Sequence, residues 1–136
     1  MTSQAVLARL LLGLAFGIPA VALGTTAAPP NASVYLISPK NGDAVTNPFT
    51  VQFGLTGMGI APAGDDKPNT GHHHLLIDTT LSPDELKQPI VSDARHLHFG
   101  GGQTETELTL PRGRHTLQLV LAIGPILRSI RRSSRR

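Results

Sequence analysis

Short stretches with an apolar residue at every second position recur along the chain after residue 24, and no window there keeps a helical period for three turns. Phe49 to Leu55 is the clearest case, because Phe49, Val51, Phe53 and Leu55 share one face. Val34 to Ser38 is instead a continuous apolar run, which predicts a strand buried on both faces. Five strands are predicted in all, at residues 34–38, 49–55, 72–78, 104–110 and 115–121.

The segments between these strands have the composition of turns and loops. Residues 39–43 contain Asn-Gly, residues 57–68 are predicted to be a loop, and residues 111–114 are predicted to form a hairpin turn between the last two strands. A single helical turn is predicted between Leu81 and Gln88, where Ser82 can cap it. Five short strands with almost no helix predict an all-β fold, a small immunoglobulin-like β-sandwich, with a small barrel as the alternative.

The first 24 residues have the layout of a secretory signal peptide. Arg9 precedes an apolar run from Leu10 to Leu23, and small residues near Ala22 offer a cleavage site. The run has about 14 residues, fewer than the roughly 20 that a membrane-spanning helix needs. We therefore expect residues 1–24 to be removed, residues 25–33 to be a linker, and the mature protein to be periplasmic or secreted without a transmembrane segment.

The C-terminal residues 122–136 do not continue the strand pattern, since they are apolar and then purely basic. They could form a polybasic arm for anionic lipid or nucleic acid. The alternative, which we favour, is an atypical tail produced by a shifted reading frame or a truncated gene. The β-sandwich domain at residues 34–121 would then lack its last strand, leaving Leu117, Leu119 and Val120 beside an unpaired edge.

Charge and composition exclude several classes of function. The chain has 12 basic and nine acidic residues, but five of the basic ones lie in the last nine positions, so the body is mildly acidic and nucleic acid is not an expected partner. The absence of cysteine excludes disulfides, thiol catalysis and iron–sulfur clusters. No nucleophile elbow, P-loop or dinucleotide fingerprint is present, so we expect a protein that is not an enzyme.

The candidate chemistry lies in six histidines, all between residues 72 and 115. On a strand, His72 and His74 share one face and His73 takes the other; His96 and His98 likewise share a face. If the two strands are neighbours, His72, His74, His96 and His98 can converge on one ion, and imidazole suits copper or zinc. Four carboxylates are candidate extra ligands or orienting groups: Asp65, Asp66, Asp78 and Asp93. The alternative is a structural histidine network without a metal.

Three segments of the sequence resemble one family of small exported bacterial proteins, the domain of unknown function 4399 family. They are SPKNGDAVTNPFTVQFGLTGMGIAPAG, DKPNTGHHHLLIDT and HLHFGGGQTETELTLPRGRHTLQL, and the likeness runs from about Val34 to about Leu121. The resemblance implies a secreted or periplasmic β-sandwich with no established activity. It also implies that Gly71–Asp78 and His96–Thr104 belong to the characteristic motif. The family's usual continuation, a His/Pro-rich loop and a final strand, is missing here.

The sequence therefore leaves two hypotheses for the function. The first is a periplasmic binding module with a histidine-based copper or zinc site. The second is a structural or protein-interaction domain of the cell envelope, in which the histidines only order loops and a protein of the envelope is the partner.

Overall fold

The computed structural model describes residues 28–123. The predicted signal peptide at residues 1–24 and residues 124–136 of the predicted tail lie outside the described residues. The described residues form seven strands: β1 Ser33–Ser38, β2 Phe49–Thr56, β3 Gly59–Ile60, β4 Thr70–Ile77, β5 His96–His98, β6 Glu105–Leu108 and β7 Leu117–Ala122. Within this part of the chain, helical structure is limited to one 3₁₀ turn at Glu85–Lys87, and no helix is long and apolar enough to cross a bilayer.

The strands form two sheets, which confirms the predicted all-β sandwich. The first sheet has the antiparallel order β1-β2-β6. In the second sheet β4 is central: β7 pairs along one edge, from His72 to Ile77. The other edge is shared by β3, in parallel at Thr70 and Gly71, and by β5, antiparallel at residues 74–76. Within residues 28–123, β7 pairs with β4 alone and is therefore the outer strand of this sheet.

The main core lies between the two sheets. Leu75 and Ile77 of β4 and Leu119 and Leu121 of β7 are buried there against the first sheet. Leu117 packs against the same cluster, so the predicted common face of Leu117, Leu119 and Leu121 is confirmed. The facing residues of the first sheet are Val34, Val51, Phe53 and Leu108. Burial of these side chains supplies most of the stabilisation of a fold this small.

A second, smaller cluster covers the outer face of the second sheet. Leu76 of β4 and Val120 of β7 are buried there under Leu81, with Leu86 and Ile90 packed at the rim. The covering segment contains the predicted helical turn. Its first residues are held by a reciprocal pair of bonds, in which the Ser82 backbone N–H donates to the Glu85 carboxylate and the Glu85 N–H donates to the Ser82 hydroxyl. The strand β4 is thus covered on both faces.

The prediction that the first strand is buried on both faces is wrong. β1 is an edge strand, and its outward side chains Tyr35 and Ile37 are 44% and 48% exposed. Only the alternate side chains face the core, because no second layer covers the outside of this sheet in the described residues. The Tyr35 ring lies over Gly54 of β2, where any Cβ atom would collide with it.

The predicted hairpin between the last two strands is also wrong. β6 pairs with β2 in the first sheet, whereas β7 pairs with β4 in the second. The segment 109–116 therefore crosses from one sheet to the other, which a turn rich in Pro and Gly allows as readily as a hairpin. The residues predicted as one loop, 57–68, include the short strand β3. β7 continues to Ala122, which pairs with His72, and Ile123 is buried, so the folded body extends two residues into the segment predicted as the tail.

Candidate metal centre

Three consecutive histidines lie in the middle of the buried strand β4. His72, His73 and His74 are 6%, 0% and 1% exposed. Alternation along the strand directs His73 toward the core between the sheets and His72 and His74 toward the outer face. The two faces therefore hold histidines in quite different surroundings.

The register between β4 and β5 brings a third imidazole to the outer face. His74 is directly opposite His98, and paired residues of antiparallel strands point to the same side. The ring centroid of His98 lies 4.8 Å from that of His72 and 4.6 Å from that of His74. One ring nitrogen from each of the three histidines falls within 4.8 Å of the others, which is a spacing that can hold a metal ion. Three of the four predicted ligands are thus brought together.

His72 and His74 already have the spacing of two metal ligands. Their Nε2 atoms are 3.2 Å apart. Two nitrogens bound tetrahedrally at the usual 2.0–2.1 Å from zinc are separated by about 3.3 Å. Without a metal, one ring donates a hydrogen bond to the other across this distance.

The third histidine is at the mouth of the cluster. His98 is exposed, whereas the other two rings are buried. It lies next to Gly100, where a Cβ atom would come within 2.7 Å of the His98 Nε2 atom. The arrangement is a pair of buried imidazoles with one exposed imidazole over them. Water or a ligand from solution can therefore reach the cluster from the side of His98.

The fourth predicted ligand, His96, is not part of this cluster. It is opposite Leu76 and its Nδ1 atom lies 2.9 Å from the Asp93 carboxylate. It borders a cleft of about 220 Å³ whose apolar lining includes Leu81 and Ile90. The prediction failed for His96 because β5 pairs with β4 in a register that places only one of its two histidines beside His74.

None of the four carboxylates proposed as extra ligands joins the described cluster. The Asp93 carboxylate is within hydrogen-bond distance of the His96 ring, and the Asp65 carboxylate accepts a hydrogen bond from the Lys67 backbone N–H. Asp66 is exposed. Asp78 contacts His115, whose Nδ1 is 2.7 Å from the carboxylate while its Nε2 is 2.7 Å from the Pro111 carbonyl. Because both partners only accept hydrogen bonds, the protonated imidazole fits this position best, and the bond to Asp78 raises the pKa of His115.

Burial governs the protonation of the histidines on β4. Desolvation, reinforced by repulsion from His98, lowers the pKa of His72 below its ordinary value and that of His74 to about 3. Desolvation, reinforced by repulsion from His72, lowers the pKa of His73 to about 4. All three rings are neutral at pH 7, and neutral imidazole is the form that binds metals.

His73 has a separate role that the sequence did not indicate. Its ring packs against Phe53 with centroids 5.2 Å apart, and neither of its nitrogens has a hydrogen-bond partner among the described residues. It behaves as a core side chain with two unpaired polar atoms. Alternation correctly placed His73 on the other face from His72 and His74, but it could not indicate that both ring nitrogens lack a described partner.

Comparison with known proteins adds a family but no function. The sequence model of the family described as Domain of unknown function (DUF4399) matches residues 51–125, which is more than half of the chain and includes all three clustered histidines. No curated protein and no solved structure matches the chain.

Proposed function

The chain belongs to the DUF4399 family, and from that premise we propose that it is an exported binding module that holds one copper or zinc ion on His72, His74 and His98. The observation that carries the proposal is the proximity of these three imidazoles on the outer face of β4, with nitrogens within 4.8 Å of one another. Family membership supplies no activity, so the proposal depends on this geometry.

The chemistry of the three ligands selects the class of metal. A site built from imidazole nitrogen suits copper(II) and zinc(II), while calcium and magnesium prefer oxygen. The three ring nitrogens leave a fourth position open to water or to a ligand from solution. At equal supply, copper(II) binds such a site more tightly than zinc(II).

Burial also favours binding at His72 and His74. Since burial lowers the pKa of His72 and lowers that of His74 to about 3, protons compete less for these two ligands than for free imidazole. One feature limits the affinity: the His74 Nδ1 atom is buried and has no partner among the described residues. A metal-bound histidine usually donates its other N–H to an acceptor, and losing that partner costs about 10- to 100-fold in affinity.

A second candidate function is a structural or protein-interaction domain of the envelope, without a metal. The observation in its favour is that the three rings already contact one another, through the 3.2 Å bond between His72 and His74 and through stacking with His98. In that case the cluster only fixes β5 to β4.

Calorimetric titration of tag-free mature protein with Cu²⁺ and Zn²⁺ at pH 7.5 separates the two functions. We expect one ion per chain with a Kd of about 1 μM or tighter for Cu²⁺. Binding should be lost in the His72→Ala/His74→Ala variant and kept in His96→Ala, the matched control from the same strand as His98. A millimolar Kd, or one unchanged in the double variant, would show that the histidines are structural.

The proposed export depends on the signal-peptide pattern at residues 1–24. N-terminal sequencing of the periplasmic fraction tests it, and the mature chain should begin between Leu23 and Pro29. An intact Met1 on a membrane-held protein would contradict it. We propose a binding role and not a catalytic one, because the sequence lacks the usual nucleophile and cofactor motifs.

A further inference from the structure

The three imidazoles of the cluster differ in orientation. A metal ion lies in the plane of each imidazole that binds it, along the lone pair of the ring nitrogen. The rings of His72 and His74 are tilted by 44°, and their Nε2 atoms are 3.2 Å apart, so their lone pairs can meet at one ion. His98 is stacked on both rings, at interplanar angles of only 22° and 24°. Nearly parallel stacked rings direct their lone pairs along separate planes, which do not converge.

From this difference we infer that His98 is a swinging ligand: it stacks over the His72–His74 pair in the metal-free protein and rotates about its side-chain bonds to complete the coordination of a bound copper or zinc ion. The inference rests on the proposed function and adds how the site opens and closes. The two buried histidines would form the fixed half of the site, and His98 the moving half.

The surroundings of the three rings support this division. His72 and His74 are buried on the central strand, between β5 and β7, where a rotation would displace packed neighbours. His98 is exposed and is the last residue of a three-residue strand. A rotation at His98 therefore meets little resistance from packing.

Gly100 provides the space that His98 uses. A Cβ atom at residue 100 would stand 2.7 Å from the His98 Nε2 atom, closer than real contacts allow. Since that neighbour is the end of a side chain, the ring would be pushed aside while the backbone kept its place. The absence of a side chain at Gly100 thus leaves room for the stacked, metal-free position of the His98 ring.

The next glycine offers a matched control. A Cβ atom at Gly101 would meet the Gln103 side chain at 3.1 Å, and its three nearest atoms all belong to Gln103. Neither glycine has a positive φ, so alanine is compatible with the backbone at both positions. Gly100→Ala would press on the His98 ring and, at 3.3 Å, on the Ala63 methyl group, whereas Gly101→Ala would press on Gln103.

The test uses the tag-free mature protein loaded with one equivalent of Cu²⁺ at pH 7.5. Electron paramagnetic resonance counts the nitrogen donors, and competition with a chelator gives the affinity. We expect three nitrogens in the wild type and in Gly101→Ala, and two in His98→Gln. In Gly100→Ala, whose Cβ atom would crowd the stacked position of the His98 ring, the affinity should be at least that of Gly101→Ala, because less stacking is given up on binding. Unfolding of each metal-free variant checks that the fold is retained.

The outcomes distinguish this inference from the proposed function. If the wild type takes up no Cu²⁺, both are wrong. If it binds Cu²⁺ through three nitrogens and Gly100→Ala binds clearly more weakly than Gly101→Ala, the stacked position is itself the binding position and the swinging movement is excluded. If His98→Gln keeps three nitrogens, His98 is not a ligand and the swinging movement is excluded.

The movement itself has a direct readout in Zn²⁺, which is diamagnetic. In the metal-free protein the stacked neighbours shield the His98 ring protons in the NMR spectrum. On addition of one equivalent of Zn²⁺, these protons should lose that shielding in the wild type. Retention of the shielded shifts in a fully Zn²⁺-loaded protein would show that the rings stay stacked, which would overturn the inference.

Discussion

In the strands β1 and β4, the hydrophobicity of the sequence and the burial of the residues do not agree. β1 is SVYLIS, almost wholly apolar, and yet two of its large side chains are about half-exposed. β4 is TGHHHLLI, with three histidines in a row, and every residue from Gly71 to Ile77 is buried. The comparison shows that a strand's place in the sheet decides burial: β1 lies at an edge with nothing described over its outer face, while β4 is central and covered on both sides.

The same contrast governs the chemistry of the histidines. In the centre of the sheet, burial lowers the pKa of His73 and His74 and keeps their rings neutral. In the crossing segment between the sheets, His115 has two hydrogen-bond acceptors, and its pKa is raised. Burial on β4 thus produces neutral imidazoles suited to a metal, whereas the partly exposed His115 is suited to an ion pair.

The largest expected effect is on the free energy of unfolding, when a leucine of β4 and an isoleucine of β1 are each replaced by alanine. Leu75 is fully buried, so Leu75→Ala should lower the free energy of unfolding by about 2–5 kcal/mol. Ile37 is 48% exposed, so Ile37→Ala should cost less than about 1 kcal/mol. Urea denaturation of both variants measures the difference, and equal losses would mean that the outer face of β1 is covered in the intact protein.

Acidification should destabilise the metal-free protein through the β4 histidines. Between the ordinary pKa of 6.5 and the lowered values near 4 and 3, the unfolded chain binds protons that the folded chain excludes. The contribution of these histidines to the free energy of unfolding is therefore fully present above pH 6.5 and is lost as the pH falls toward 4. Between pH 7 and 5 the loss is on the order of 2 kcal/mol. Chemical denaturation at a series of pH values checks this. A flat profile over that range would show that the rings are hydrated.

Replacing His73 by an apolar residue should stabilise the protein. Its two ring nitrogens have no described partner in an apolar setting, and leaving such groups unpaired costs free energy. We expect His73→Leu to raise the free energy of unfolding by about 1 kcal/mol at pH 7 and to weaken its dependence on acid. A loss of more than that amount would mean that the ring has partners, in water or in the rest of the chain.

The smallest effect is expected at His115, and it should have the opposite dependence on pH. Because its folded pKa is raised, the contact with Asp78 contributes stability below pH 6.5 that disappears as the pH rises through the folded value. His115→Gln should therefore reduce stability more at pH 5.5 than at pH 8.5. Urea denaturation at these two values tests it, with a larger loss at pH 8.5 as the contradicting result.

Local pattern predicted the strands well because alternation reports which residues share a face. It placed the strands near their observed positions, and it grouped His72 with His74 correctly. It could not predict which strands pair, since pairing joins residues far apart in the sequence. The wrong hairpin at 111–114 and the wrong burial of β1 both have this cause.

The candidate site could likewise be predicted only in part: the residues that share a face were predictable, and the residues that meet across strands were not. Alternation grouped His96 with His98, but only the register of β5 against β4 decides that His98 faces His74 while His96 faces Leu76. The close approach of the His98 ring to Gly100 could not be found from the sequence either, because a glycine run before a strand indicates only a flexible turn. The stacking of His98 on its neighbours depends on three strands at once.

The most direct test of the central claim is the unfolding midpoint of the tag-free mature protein at pH 7.5, with and without Cu²⁺, for the wild type and His72→Leu/His74→Leu. A metal centre predicts that the metal-free variant is at least as stable as the wild type, because two desolvated polar rings are gone. It also predicts that Cu²⁺ stabilises only the wild type, by about 2.7 kcal/mol when free Cu²⁺ is a hundredfold above Kd. A metal-free variant that is clearly less stable, together with a wild type that Cu²⁺ does not stabilise, would show that the cluster is structural and would contradict the account.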